Sequence, residues 1–187
     1  MKISSVILAG GRATRMGGAD KGLLMLKEKP LIAWVLDHIR HQSDEILISA
    51  NRHIEQYACY GYPVITDKIE GFQGPLAGLH SAMLAAQHDL ILAVPCDTPY
   101  LPDNLVPSLH AALTAQNAEI AIPSAGGRTH HAIMLCKRAL VSDLADYLAS
   151  GEKKVMAWQA KHPHAIVPFD DATAFNNFNT PEDLDNL

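Results

Sequence analysis

Residues 8–21 read Leu8-Ala9-Gly10-Gly11-Arg12-Ala13-Thr14-Arg15-Met16-Gly17-Gly18-Ala19-Asp20-Lys21. Four glycines in this stretch let the backbone take positive φ and come close to a ligand. Backbone N–H groups of such a loop can point inward onto phosphate oxygens. Arg12, Arg15 and Lys21 add positive charge to a chain whose formal net charge is −5. A triphosphate needs both, donors for geometry and cations for charge. Two common phosphate patterns are absent. Gly17-Gly18 is not followed by Lys-Ser or Lys-Thr, as a P-loop would require, and the dinucleotide pattern GxGxxG does not occur. Further polar residues stand just after apolar runs: Ser49 and Asn51, Asp67, and Asp97 within Pro95-Cys96-Asp97-Thr98-Pro99. Asp97 suits Mg2+, which takes one or two carboxylates together with phosphates and water. It equally suits a helix cap, and Asp67 equally suits a turn.

The apolar pattern indicates what must hold these residues. Strands are expected over residues 3–8, 45–49, 63–65, 89–94 and 118–122, with helices over 30–41, 54–60, 75–87 and 101–116. Such alternation implies right-handed βαβ units and a mostly parallel sheet, hence one three-layer α/β domain over residues 1–187. After Pro123 the pattern loosens. Gly126-Gly127 reads as a hairpin tip with a returning strand over 132–136, followed by a helix over 142–150 that Gly151 closes. A last strand is expected over 165–169 and a last short helix over 181–187. Open α/β sheets bind ligands at the carboxyl ends of their strands. Gly10, Ser49, Asp67 and Asp97 all fall at or just after such ends, so one edge of the sheet can gather them.

Composition narrows the partners. The acidic balance argues against nucleic acid or an anionic membrane, since both reward a basic face. Three cysteines without CxxC spacing suggest neither a disulfide frame nor a zinc site, and a reducing compartment is the simple reading. The apolar run at residues 1–8 lacks the pattern of a signal peptide, and no run approaches the roughly 20 residues of a membrane span. A cytoplasmic protein is expected.

The pattern L-A-G-G-x-x-x-R-M-G-x-x-K resembles the signature loop of nucleotidyltransferases with a Rossmann-like fold. Four further segments narrow the likeness: Asn51-Arg52-His53, Gly74-Pro75-Leu76-Ala77-Gly78, Pro95-Cys96-Asp97-Thr98-Pro99 and Asn177-Phe178-Asn179-Thr180-Pro181. Together they resemble the molybdenum cofactor guanylyltransferase family nearly end to end. The resemblance implies a three-layer αβα enzyme that uses GTP, Mg2+ and molybdenum-molybdopterin and releases pyrophosphate. Molybdenum-insertion proteins and molybdoenzyme chaperones would be its transient partners.

By the same resemblance Asp97 is the metal ligand and Lys21 contacts the nucleotide phosphates, supported by Arg15. Leu8, Ala9, Gly10 and Gly11 lie along the nucleotide, and Asp67 binds it. Ser49 stands where the family carries a nucleotide-contacting asparagine. Asn177, Asn179 and His130 fall to the pterin side, while Thr180, before Pro181-Glu182-Asp183, reads from residue type alone as a helix cap. His131 replaces a family proline, and Lys153-Lys154 resembles a basic segment that meets an anionic pterin phosphate. The residues themselves leave the base open. A cytidylyltransferase acting on the same pterin and a nucleotide-binding module without turnover remain the alternatives.

Overall fold

The computed structural model describes residues 2–10, 20–69 and 74–178. Gly11, Arg12, Arg15, Asn179, Thr180 and the helix expected over 181–187 lie outside the described residues.

Strand β1 (Ile3–Leu8) is central. Helix α1 (Leu31–Ile39) leads to β4 (Glu45–Ser49), and α2 (Ile54–Ala58) leads to β5 (Val64–Ile65). Helix α3 (Pro75–Ala85) crosses back to β6 (Leu90–Pro95), and α4 (Leu105–Ala115) leads to β7 (Ile120–Ala125). Then follow β8 (Arg128–Thr129), β9 (Met134–Lys137), α5 (Val141–Ala149), α6 (Val155–Gln159) and β10 (His164–Pro168). The main sheet has the order β10-β7-β9-β6-β1-β4-β5, with β8 paired to β7. Strands β5, β4, β1 and β6 run parallel, as do β7 and β10. Only β9 and the short β8 run against them.

Period-two alternation splits the sheet's side chains between two cores. Ile3 and Ile7 of β1 and Leu92 and Val94 of β6 pack with α1 and α4. Val6 of β1 and Ile91 and Ala93 of β6 pack with α3, α5 and Trp158 of α6. The fold is therefore the expected three-layer αβα arrangement. The chain leaves β1 for β4 on one side and returns to β6 on the other. The strand order thus reverses beside β1, which opens a crevice above the carboxyl ends of β1, β4 and β6.

Several local expectations need correction. The helix expected over 101–116 starts only at Leu105 with Asn104 as its cap, because Pro102 and Asp103 hold the preceding segment as a loop. Pro30 precedes α1 rather than opening it. A small hairpin, β2 (Met25–Leu26) with β3 (Lys29–Pro30), and the short α6 were not expected. The β2–β3 turn is built by Lys27 and Glu28, both at positive φ, where sequence reading looks for Asn-Gly or Asp-Gly. Helix α6 has too few residues to show a helical period. Its place is fixed by Trp158, wholly buried and donating from Nε1 to Asp143 Oδ1 at 2.9 Å. Among the described residues no helix is long and apolar enough to cross a membrane.

Candidate active site

A cavity of about 320 Å³ opens above the carboxyl ends of β1, β4 and β6, a volume suited to small ligands. Leu8, Ala9 and Gly10 continue β1 into its wall, Ser49 ends β4, and Pro95, Cys96 and Asp97 follow from β6. These three strands are tied by the ladder and its extensions. The Ala9 N–H donates to the Ser49 carbonyl at 2.8 Å, and the Cys96 N–H to the Leu8 carbonyl at 3.2 Å.

Lys21 and Asp97 meet here. Lys21 Nζ lies 3.3 Å from Asp97 Oδ2, and the carboxylate is largely buried while the lysine remains about a third exposed. Asp97 does not cap a helix, since α4 starts only at Leu105. It lies on the cavity wall instead. Cys96 beside it is buried. Burial, with the Asp97 and Asp20 carboxylates near, pushes its pKa far up, which disfavours the thiolate.

Helix α3 presents its N-terminus to the same space. Gly74, Pro75 and Gly78 line the cavity, and Gly74 takes φ +144° to turn the chain into the helix. Pro75 has no N–H and the Ala77 N–H donates to the Gly74 carbonyl at 3.2 Å, so what this end of α3 brings to the cavity is chiefly the positive end of the helix dipole, which favours an anion. Gly78 also permits close packing. A Cβ there would stand 2.6 Å from Ser49 Oγ and 2.9 Å from Leu8 Cδ2.

Asp67 lines the far wall and forms a reciprocal pair with Asn51. Asn51 Nδ2 donates to Asp67 Oδ2 at 2.8 Å, and the Asp67 N–H donates to Asn51 Oδ1 at 2.9 Å. Burial raises the Asp67 pKa, opposed by the Asn51 hydrogen bond. Asn177 closes the near side. Its Oδ1 accepts from Thr98 Oγ1 at 3.0 Å, and the next N–H, of Phe178, donates to the Asp97 carbonyl at 2.9 Å. These bonds bring residues far apart in sequence to one site.

Two segments expected on the substrate side stand outside the lining of this cavity. His130 does not line the cavity; its ring stacks on Phe175 with centroids 4.8 Å apart. Lys153 and Lys154 are exposed and lead into α6. Reading the sequence missed Ala132 as a lining residue, and it named Asp20 and Cys96 only as members of their segments. Asp20 carried one signal, its place beside Lys21 in the glycine-rich loop. Ala132 carried none.

The MobA-like NTP transferase domain family matches residues 5–165. The molybdenum cofactor guanylyltransferase of Shewanella loihica is 46% identical over 187 residues, covering 100% of this chain and 95% of that protein. The chain belongs to the molybdenum cofactor guanylyltransferase family. The Shewanella amazonensis enzyme of the same name is 47% identical over 188 residues, covering 100% and 96% of the two chains. Molybdopterin-guanine dinucleotide biosynthesis protein A from Archaeoglobus fulgidus has the same fold, with a TM-score of 0.80 at 22% identity over 99% of this chain and 95% of that one. So does a 4-diphosphocytidyl-2C-methyl-D-erythritol synthase from Anaerococcus prevotii, at 0.77 and 14% over 98% and 92%. As a member of the guanylyltransferase family the chain is a nucleotidyltransferase.

Proposed function

We propose that this enzyme transfers GMP from GTP to molybdenum-molybdopterin, giving the guanine dinucleotide cofactor and pyrophosphate. The observation that carries this reading is the Lys21–Asp97 pair on the wall of a cavity at the strand ends, with the α3 N-terminus facing it. The terminal phosphate of molybdopterin attacks the α-phosphorus of GTP. A new P–O bond forms as the bond to the β-phosphate bridging oxygen breaks, and pyrophosphate leaves with that electron pair. The attacking phosphate is already anionic, so no general base is required. Lys21 offers a compact positive charge where negative charge develops, and Leu8-Ala9-Gly10 with the α3 N-terminus holds the nucleotide in line.

Asp97 is the residue to hold Mg2+. It is a hard-oxygen donor on the cavity wall, and no cluster of three metal-ligating side chains occurs among the described residues. That donor set fits an ion bound mainly by substrate phosphates and water rather than by a protein cage. When bound, Mg2+ supplies positive charge to the triphosphate oxygens. Asp67, braced by Asn51, is offered to the nucleoside, and Asn177 to the pterin side. Delivery of the product to molybdenum-insertion proteins and molybdoenzyme chaperones belongs to the same reading.

Pyrophosphate release is the test, with Mg2+, molybdenum-loaded molybdopterin and each of GTP, CTP, ATP and UTP in turn. Release with GTP alone is expected. Release with CTP instead would make the enzyme a cytidylyltransferase, with Ser49, at the family's asparagine position, the first residue to examine. No release with any nucleotide would reduce the chain to a binding module.

A further inference from the structure

Tyr57 belongs to α2, outside the glycine-rich loop, yet its hydroxyl reaches the residue before the active-site lysine. The ring is wholly buried in the core formed with α1 and α4. The hydroxyl donates to Asp20 Oδ1. That same oxygen accepts the Gly22 N–H at 3.3 Å, so Asp20 caps the short 3-10 turn Lys21–Leu23. Gly22 leaves no space between this turn and its supports. A Cβ there would stand 2.6 Å from Tyr57 Oη and 3.3 Å from Cys96 Sγ. Cys96 is followed by Asp97, whose carboxylate meets Lys21 Nζ at 3.3 Å. Burial, with the Asp20 carboxylate as acceptor, pushes the Tyr57 pKa far up, so the phenol keeps its proton and acts as donor. A hydroxyl donating to a carboxylate is among the stronger hydrogen bonds. The lysine turn is therefore seated on a rigid part of the core.

We propose that Tyr57 is a positioning residue for the transfer reaction: through Asp20 and Gly22 it sets where the Lys21 ammonium stands against the nucleotide phosphates and Asp97. The proposal rests on the phosphate-binding role of Lys21 given above. It acts on geometry alone, and small misplacements of a charge in a transfer site are costly.

A double-mutant cycle tests it, with Tyr57→Phe, Lys21→Ala and the pair, read both as the Kd for Mg·GTP and as kcat for pyrophosphate release. Tyr57→Phe keeps the ring and removes the hydroxyl. It is expected to raise Kd about fivefold and lower kcat about tenfold. In the Lys21→Ala background both losses should shrink below about twofold, because the residue acts through the lysine. Gly22→Ala lifts the same turn with the hydroxyl intact and should reproduce both losses. Additive losses, or a lower melting temperature with Kd and kcat unchanged, would overturn the proposal. If wild-type protein binds Mg·GTP but releases no pyrophosphate, the proposed reaction fails while the Kd cycle still judges Tyr57.

Discussion

Asp97 and Lys21 pair at 3.3 Å, and the proposed reaction gives each a separate task toward a triphosphate. Asp97→Asn keeps the shape of the side chain and removes its charge, leaving a poor ligand for a hard cation. Turnover at saturating Mg2+ is expected to fall about 10²–10³-fold, the scale found when one preorganised electrostatic group is removed from a transfer site. Steady-state pyrophosphate release across a Mg2+ series checks this, and normal Mg2+-dependent turnover in the variant would remove Asp97 from the metal role. Both residues were legible in the sequence, because a lysine in a glycine-rich loop and an aspartate after an apolar strand are local patterns. Tyr57 was not, since nothing near position 57 in the chain refers to Asp20. Asn51 was legible only by its place after an apolar run, and its reciprocal bonds to Asp67 give it a task there.

Helix α3 comes so close to β1 and β4 because position 78 lacks a side chain. Gly78→Ala would force Ser49 Oγ and Leu8 Cδ2 aside, and overpacking of this kind costs about 1–3 kcal/mol. Urea unfolding should show that loss, and adding Ser49→Ala should recover part of it by removing the atom at 2.6 Å. An unchanged midpoint for Gly78→Ala would mean that α3 shifts freely on the sheet. The two hairpins show how legibility depends on chemistry. Gly126 and Gly127, at φ +56° and +75°, announce their turn, since glycine accepts such angles without strain. Lys27 and Glu28 adopt φ +47° and +64° in the β2–β3 turn, where residue type gives no warning. Strand β9 was expected as a returning strand. Its insertion between β6 and β7 is a matter of long-range pairing that no local pattern encodes.

At the scale of the whole molecule, two histidines are expected to tie stability to pH. His80 Nδ1 and His130 Nε2 are buried without a hydrogen-bond partner among the described residues. Burial lowers both pKa values below the ordinary 6.5, with Arg128 adding repulsion at His130. The unfolded chain therefore takes up protons near pH 6.5 that the native state refuses, and stability falls as pH drops from 6.5 toward the native values. Thermal melts over about pH 7.5 to 5 should show a declining midpoint below that point, with a shallower slope in His80→Gln. A flat profile in the wild type would mean that both rings find partners. The sequence by itself determined the layers and the sheet edge that gathers the site, and it named Lys21 and Asp97, which meet there. Hydrophobic period and glycine-rich turns are local physics, and they fix which side chains must be buried and where the chain must bend. Only the tertiary structure decided that Asn177 meets Thr98, that His130 stacks on Phe175, and that Tyr57 supports Asp20. Those contacts join residues distant in the chain, and their partners are chosen by packing three layers at once.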